Sequence, residues 1–282
     1  MSDKIPRVAK FAALAAFGAL ALTGCNSAQK QSAPAPQAPK PPPPPTAAPA
    51  PKPRVVHPHN RPVPILMYHV VGTAPPGAPF PSLYVRRADF AGQLAWLRAH
   101  GFHAVSLHRV YDYWRRGYAL PPRPVVLTFD DGYREDFTNV RPLLAQRHWP
   151  GVLNLAVRNL LDGKLTVRQV QVMIRQGWEV DAHTINHLDL TTLGAAALRH
   201  EVAGSRQWIR RRFHVPVDFF CYPSGRYDAR VLAAVRSAGF LGATIEGFGA
   251  ASPRDGLLTL PRIRVDGSDG VSGLAAKLGA YG

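Results

Sequence analysis

A unit made of a helix, a glycine, an aromatic residue and a short strand occurs three times in this chain. Amphipathic helical patterns end at Gly101, Gly177 and Gly239, and each glycine is followed by an aromatic residue and a short apolar run. Glycine readily adopts the left-handed backbone conformation that closes a helix. Helices that alternate with short strands are typical of parallel β-α-β units. The sequence therefore predicts an α/β domain, built either as a closed barrel or as an open, doubly wound sheet.

Eight segments are predicted to be the strands of this parallel sheet. Each is short and mostly apolar, with turn-forming or polar residues around it. They span residues 65–71, 104–106, 125–129, 152–156, 178–182, 219–222, 241–245 and 263–265. Both α/β architectures place their sites at the carboxyl ends of the strands. Functional side chains are therefore expected directly after these segments.

Two adjacent carboxylates, Asp130 and Asp131, directly follow the third predicted strand. Ionised carboxylates that share a cleft repel each other unless a cation or hydrogen bonds offset their charge. His183 and His187 follow the fifth predicted strand, and their spacing of four predicts two imidazoles on one face of a helical turn. One Asp and two His, with positions open to water, form a catalytic rather than a structural metal set.

The amino-terminal 24 residues have the layout of a secretory signal. Three basic residues precede the apolar run 11–22, which is too short to span a bilayer as a helix. The run ends in Leu-Thr-Gly-Cys and resembles a bacterial lipoprotein signal, which implies cleavage before Cys25 and a lipid anchor, including palmitate, on that cysteine. An ordinary signal peptide is the alternative. Asn26, in place of an Asp, favours the periplasmic face of the outer membrane, so we expect a lipid-anchored protein of the cell envelope.

Residues 25–62 are predicted to be a tether that follows the lipidated cysteine. Alanine and proline dominate this segment, which includes five consecutive prolines at 41–45. Such a composition favours extended polyproline II, at about 3 Å per residue. A ligand for a proline-binding module is the alternative. Residues 63–282 remain for one domain, and with Cys25 modified, Cys221 has no partner for an intrachain disulfide.

The chain carries a formal net charge of +16. Four arginines, at positions 206, 210, 211 and 212, lie on one predicted helix, and a solvated helix face is the favoured interpretation. Attraction to anionic lipid headgroups, to lipopolysaccharide or to an acidic glycan is the alternative. A basic balance is the usual sign of nucleic-acid binding, but a protein anchored in the envelope is not expected to meet nucleic acid. We therefore predict a membrane and a polysaccharide as partners; the oligomeric state is left open.

Three motifs, in this order, resemble those of the polysaccharide deacetylase family, the NodB-homology group or carbohydrate esterase family 4. They are Thr-Phe-Asp-Asp-Gly-Tyr at 128–133, His-Thr-Ile-Asn-His at 183–187 and Tyr-Pro-Ser-Gly at 222–225. Flanking segments at 64–69, 188–190 and 260–265 extend the resemblance over residues 63 to about 270. The resemblance implies a distorted (β/α) barrel of the NodB-homology type, with residues 63–282 as the catalytic domain.

The resemblance also implies a metal-dependent hydrolase. It would remove N-acetyl groups from an N-acetylglucosamine-containing polysaccharide, either an exopolysaccharide or peptidoglycan. By position, Asp130 would be the general base, and a divalent metal, commonly zinc but alternatively cobalt or nickel, would be bound by Asp131, His183 and His187. The residues that would shape the groove or stabilise the oxyanion are Tyr222, Pro223, Ser224 and Gly225. An O-acyl esterase of the same fold and a non-catalytic glycan-binding lipoprotein are the alternatives.

The chain departs from the family pattern at three points. Cys221 stands where many members have an arginine, which predicts that the charge tuning the base is missing, and Ser224 replaces an aromatic residue. No Leu-x-His occurs near the end of the chain, so the acid that protonates the amine is unassigned; the metal site, or Asp130 acting as base and then as acid, is the hypothesis. His69 is expected either to contact the substrate or to have only a structural role at the end of a strand.

The roles of three further residues are less specific. Asp189 either orients a metal ligand or caps the next helix. Trp114 is expected in a loop, lining a groove, and Cys221 is expected to be a small buried apolar residue rather than a nucleophile.

Overall fold

In the computed structural model, which describes residues 59–281, eight strands form one parallel sheet and two short strands form another. The strands are β1 Ile65–Tyr68, β2 Val70–Val71, β3 Tyr84–Val85, β4 His103–Ala104, β5 Pro124–Asp131, β6 Val152–Leu155, β7 Glu179–Ala182, β8 Phe219–Cys221, β9 Gly242–Thr244 and β10 Ile263–Arg264. The helices are α1 Arg87–Ala99, α2 Leu107–Arg116, α3 Arg141–Ala145, α4 Val157–Leu161, α5 Val167–Arg175, α6 Ala195–Arg199, α7 Ser205–Phe213, α8 Ala229–Ser237 and α9 Gly270–Leu278.

The predicted signal peptide, the lipidation site Cys25 and nearly all of the tether lie outside the described residues, and these interpretations stay predictions. The described residues belong to one compact unit, Pro53–Gly282. Across residues 59–281, no helix combines the length and the apolar character needed to cross a bilayer.

The main sheet curls into a distorted barrel. Its strands follow the order β10-β1-β5-β6-β7-β8-β9, and β4 pairs with the start of β5. An isolated parallel bridge joins Thr244 of β9 to Leu260, and the Ile245 amide donates to the Leu260 carbonyl at 3.0 Å. Because Leu260 lies just before β10, this bridge links the two edges of the sheet. The predicted barrel architecture is confirmed.

Each of the eight predicted strands overlaps an observed strand, but the first is divided. His69 separates β1 from β2, and β2 leaves the main sheet to pair with β3. The sequence did not predict β3, because a two-residue strand is too short to show a periodic pattern. The interruption places His69 at the carboxyl end of β1.

The three glycines that end helices have the expected left-handed conformation. Gly101, Gly177 and Gly239 have φ values of 73°, 87° and 81°. The aromatic residues that follow them are Phe102, Trp178 and Phe240, and each is at most 6% exposed. Each turn therefore folds a large aromatic ring back onto the core, where full burial of such a side chain contributes roughly 2–3 kcal/mol.

The prediction for Trp114 was wrong. This residue lies in α2, is 1% exposed, and donates its indole N-H to the Arg61 carbonyl at 3.0 Å. Leu107, Val110 and Trp114 are spaced as one face of a helix, and that face packs on the sheet. The helical period is present in the sequence and explains the burial.

Candidate active site

The carboxyl ends of the parallel strands surround a cleft of about 550 Å³. The chain topology explains this convergence, since every strand of the main sheet points the same way. The predicted site residues that line the cleft are Asp130, Asp131, His183, His187, Tyr222 and Ser224. His69 and Arg262, for which the sequence predicted no certain role, line it as well.

Asp131, His183 and His187 point their ligand atoms at one place. The Asp131 Oδ1 atom lies 3.4 Å from His183 Nε2 and 3.3 Å from His187 Nε2. Asp131 has a φ of 77°, a left-handed conformation that turns its side chain at the end of β5. Its Oδ1 atom is buried and has no hydrogen-bond partner among the described residues. A buried carboxylate oxygen facing two imidazole nitrogens is a set that could hold a metal ion.

The spacing of these atoms fits a divalent cation. Tetrahedral coordination with bonds of about 2.0–2.1 Å separates neighbouring ligand atoms by about 3.3–3.4 Å. The separations between Asp131 and the two histidines fall at this value. The donor set of one carboxylate and two imidazoles also suits zinc and its neighbours in the first transition row.

A backbone contact fixes the tautomer of His183. Its Nδ1 atom lies 2.8 Å from the Cys221 carbonyl oxygen. A carbonyl only accepts, so Nδ1 carries a proton, and Nε2, which faces Asp131, is the nitrogen left to bind a cation. The arrangement orients the imidazole and prepares it to bind a cation.

The segment between the two histidines is not the helical turn that the spacing predicted. Thr184 and His187 have left-handed φ values of 68° and 56°, and the segment is irregular. Glu201 holds it by accepting from the amides of Ile185 at 3.0 Å and Asn186 at 2.8 Å. The two imidazoles still converge, with ring centroids 4.7 Å apart. The spacing therefore predicted the convergence correctly and the backbone incorrectly.

Asp130 is paired with a buried arginine, which corrects the expectation that its tuning charge is missing. Both guanidinium nitrogens of Arg262 donate to the two carboxylate oxygens at 2.8 Å. Arg262 is 1% exposed and Asp130 is 2% exposed. Burial alone raises the pKa of Asp130, but the adjacent Arg262 charge and hydrogen bonds outweigh it and hold this pKa far below its usual range. Asp130 therefore stays ionised.

Further donors fix the orientation of the Asp130 carboxylate. Asn154 donates its side-chain amide to Oδ1 at 2.7 Å, and the Cys221 thiol lies 3.6 Å from Oδ2. Cys221 is fully buried, as predicted, and its sulfur lies 3.2 Å from Arg262. The thiol is a small partner of this charge pair, at the position where many family members carry the arginine itself.

One signal in the sequence indicates that Arg262 is buried. Arg262 directly precedes β10 in a mostly apolar segment, and a charged residue buried in such a segment needs a partner of opposite charge. The position of that partner, more than one hundred residues away on β5, follows only from the closure of the barrel.

His69 lies beside Asp130 at the end of β1. Its Nε2 atom is 4.0 Å from Asp130 Oδ2, and its side chain is 12% exposed to the cleft. Burial lowers the pKa of His69 more than the neighbouring carboxylates raise it. The imidazole is therefore neutral near pH 7, within reach of both Asp130 and the cleft.

The third motif forms one wall of the cleft. Tyr222 and Ser224 line it, and Ser224 has a left-handed φ of 51°. Pro223 is buried behind this wall. A Cβ atom on Gly225 would lie 2.7 Å from the Glu246 backbone nitrogen, so only glycine fits there. The motif residues thus shape a tight turn rather than all touching the cleft.

Asp189 is a capping residue in this structure. Its Oδ1 atom accepts from the Thr191 amide at 3.1 Å at the start of a short 3₁₀ turn, and Arg226 donates to Oδ2 at 2.7 Å. No contact to a metal-binding imidazole is present among the described residues, so the capping alternative accounts for Asp189.

Comparison with known proteins identifies the family. The chain is 30% identical over 221 residues to YxkH of Bacillus subtilis (strain 168), which is named as a polysaccharide deacetylase, and the match covers 78% of this chain and 75% of that protein. The chain belongs to the polysaccharide deacetylase family. The family profile itself, described as polysaccharide deacetylase, matches residues 117–243. The predicted family membership is confirmed, and with it the prediction that this chain is a hydrolase.

Two further relatives show the extent of this likeness. One is the poly-beta-1,6-N-acetyl-D-glucosamine N-deacetylase of Escherichia coli (strain K12), which is 40% identical to this chain over 95 residues. The match covers 34% of this chain and only 14% of that protein. The structure of Streptococcus pyogenes deacetylase PplD in complex with acetate superposes with a TM-score of 0.72 at 26% identity, covering 78% of this chain and 99% of that one. The barrel is therefore that of the family.

Proposed function

We propose that this protein is a metal-dependent N-deacetylase that hydrolyses acetamido groups of an N-acetylglucosamine-containing polysaccharide, with an exopolysaccharide or peptidoglycan as its natural polymer. The observation that carries the proposal is the pairing of two functions in one cleft. Asp131, His183 and His187 form a cation site, and the ionised Asp130 lies next to it with His69 alongside. The name of the Escherichia coli relative supports the substrate class, and the acetate in the PplD structure supports the product.

Asp131, His183 and His187 would hold the cation, for which zinc is the proposed metal. When bound, a divalent cation would polarise the acetyl carbonyl and make water a stronger nucleophile at neutral pH. The bond of His183 Nδ1 to the Cys221 carbonyl leaves Nε2 as the nitrogen that faces this site.

Asp130 would take the proton from the attacking water. Its pairing with Arg262 keeps it ionised and oriented but also makes it a weak base. His69 resolves this weakness, because its neutral imidazole is the stronger base and its Nε2 atom lies 4.0 Å from Asp130 Oδ2. The proton would pass from Asp130 to His69 and from His69 to the departing nitrogen. Water adds to the carbonyl carbon, the C–N bond breaks, and acetate and a free amine are released.

The Tyr-Pro-Ser-Gly turn would support the carbonyl oxygen as negative charge develops on it. Ser224 lies in the cleft wall in a left-handed conformation, and its backbone N–H would donate to that oxygen. Tyr222 would shape the wall against which the sugar lies.

Acetate release from the mature chain is the experiment that tests the proposal. The protein would be loaded with zinc and given N-acetylglucosamine oligomers, peptidoglycan and, separately, O-acetylated sugars. Asp131→Ala would be the matched control, because it removes a metal ligand and keeps Asp130, Arg262 and His69. Acetate from the N-acetylated substrates with wild type only is the expected result. Acetate from O-acetylated sugars alone would favour the esterase alternative, and none from a metal-loaded protein would favour a binding role.

We further propose that this hydrolase acts in the cell envelope on a lipid anchor at Cys25. The support for this proposal is the layout of residues 1–25, and mass spectrometry of the protein purified from membranes would test it.

A further inference from the structure

An apolar groove outside the catalytic cleft has a volume of about 590 Å³. It lies between α4, α5 and α7, and its apolar lining consists of Leu160, Leu161, Val167, Ile185 and Trp208. Leu161 is 62% exposed, which is unusual for a large aliphatic side chain. Nothing in the proposed deacetylation uses this groove.

Two arginines at the edge of the groove lack acidic partners. Arg211 and Arg212 line it and are exposed, and among residues 59–281 neither forms an ion pair; the side chain of Arg211 reaches only Gln207, at 3.5 Å. Arg206 on the same helix is different, since it lies 3.8 Å from Asp218 and donates to two backbone carbonyls. Two of the three arginines of α7 that form no ion pair among residues 59–281, Arg211 and Arg212, therefore lie beside the apolar lining, and the third, Arg210, lies outside it.

We propose that this groove binds a membrane lipid with an anionic headgroup, its acyl chain along the apolar lining and its phosphate on Arg211 and Arg212. Charge complementarity favours this occupant, because two unpaired guanidinium groups suit a phosphate diester. Apart from the two arginines, the polar side chains of the lining are His200 and Gln207, and the remaining, mainly apolar surface suits an acyl chain better than a sugar. The proposal also rests on the predicted lipid anchor, which would keep the domain near a membrane surface.

The position of the groove connects it to the site. Ile185 lies between the two histidines of the proposed cation site and forms part of the groove lining. A bound acyl chain would contact the segment that positions these histidines. Membrane contact and the metal-binding segment therefore share one residue.

Binding to vesicles tests the proposal with the chain from Asn26 onward, which carries no lipid of its own. The probes are vesicles of equal parts phosphatidylglycerol and phosphatidylcholine, and vesicles of phosphatidylcholine alone. The variant is Arg211→Gln with Arg212→Gln, and the charge-matched control is Arg199→Gln with Arg210→Gln, two exposed arginines outside the groove. We expect the groove variant to weaken partitioning about 30-fold, since each arginine contributes about 1 kcal/mol near an anionic surface, and the control to weaken it less than about threefold.

A second measurement reports the acyl chain itself. Phosphatidylglycerol with a brominated acyl chain would quench Trp208, and Trp208→Phe identifies that part of the signal among the five tryptophans. Equal weakening by both arginine pairs would overturn the proposal, because it would indicate attraction by overall charge only. Absence of Trp208 quenching in bound protein, or displacement of the lipid by N-acetylglucosamine oligomers, would overturn it as well. Deacetylation of a soluble oligomer, unchanged in the groove variant, separates this result from a failure of the proposed function.

Discussion

This barrel contains two pairs of buried carboxyl groups, and their surroundings have opposite effects on whether the groups are charged. Asp130 and Asp131 end β5 and open into the catalytic cleft. Glu179 and Asp181 lie on β7 and border a separate cavity of about 210 Å³. Asp130 has Arg262 as a partner, whereas no Lys or Arg of the described chain donates to the β7 pair, which receives only the amides of His108 and Phe219.

The difference in partners decides which pair keeps its charge. Burial raises the pKa of Asp181 well above its usual range, and the neighbouring Glu179 raises it further. Burial raises the pKa of Glu179 too. Asp181 and Glu179 therefore hold their protons more tightly than exposed carboxyl groups do, while Asp130 stays ionised. Burial alone makes a carboxyl group neutral, and a cation placed beside it is what makes a carboxylate available for chemistry.

Removal of Arg262 is expected to have the largest effect, because it makes the β5 pair resemble the β7 pair. Arg262→Met leaves Asp130 buried without its counterion, so we expect a loss of about 3–5 kcal/mol in the free energy of unfolding and a fall of roughly 10²–10⁴-fold in kcat. Arg264→Met, two residues away and partly exposed, is the matched control and should cost far less. Denaturant unfolding and acetate release measure both.

A double variant sharpens this test. Arg262→Met combined with Asp130→Asn removes both charges, so stability should largely return while activity stays lost. An Arg262→Met protein as stable and as active as wild type would show that the pair has no such role.

A variant of His69 tests whether the proton that Asp130 takes up is passed through His69 to the departing nitrogen. We expect His69→Ala to lower kcat on an N-acetylglucosamine oligomer by about 10²–10³-fold. The same variant should lose much less activity on an aryl acetate, because a phenolate leaves without protonation. His103→Ala, a histidine at the opposite end of the barrel strands, is the control. Equal losses on both substrates would argue against proton delivery by His69.

The buried pair Glu179 and Asp181 should make the stability of the folded protein depend on pH. The folded state holds the proton of Asp181 more tightly than the unfolded chain, so stability falls as the pH rises from about 4 toward the raised pKa values of the pair. Asp181→Asn removes this loss, and we expect the variant to gain on the order of 1 kcal/mol relative to wild type between pH 5 and pH 8. Thermal unfolding at both values measures it.

Asp130→Asn should change the pH dependence of stability in the opposite direction to Asp181→Asn. Because the pKa of Asp130 is lowered on folding, its contribution is present above about pH 4 and is lost as the pH falls further. The variant should therefore be destabilised at pH 7. A pH profile of stability that Asp181→Asn leaves unchanged would contradict the raised pKa of Asp181.

The smallest expected effect concerns Asp189, a carboxylate that belongs to neither pair. Asp189→Ala removes the cap of a short 3₁₀ turn and should lower the stability only slightly. Metal affinity should be unchanged, whereas a residue that orients a metal ligand would change it about 10- to 100-fold. Titration with zinc under competition by a chelator distinguishes the two roles.

The sequence was sufficient for those parts of the structure that depend on local pattern. The glycine-aromatic pairs marked the helix ends, and the apolar runs located the strands, because both signals arise from neighbouring residues. The adjacent carboxylates and the two histidines were predicted at strand ends, and they meet in one cleft because all strands of the main sheet are parallel. The prediction of a loop at Trp114 was wrong although the sequence contains the helical spacing of Leu107, Val110 and Trp114.

Features that depend on contacts between distant segments could not be read from the sequence. Arg262 replaces a charge that the motif at Cys221 lacks, and only the closed barrel brings the two segments within 3.2 Å. The irregular turn at Thr184 depends on Glu201, which lies in a later, π-helical segment, His200–Gly204. Position in space, rather than residue type, was the missing information.

The bridge between Thr244 and Leu260 has a consequence for biosynthesis. Arg262 follows this bridge by two residues and Asp130 by more than one hundred, so during synthesis or export Asp130 emerges long before its counterion. Until the last strand docks, the β5 carboxyl groups have no guanidinium beside them and must stay hydrated or take up a proton. The ion pair of Asp130 therefore forms only once residues 260–264 have docked, and a nascent chain lacking them would have the motif without the counterion of Asp130.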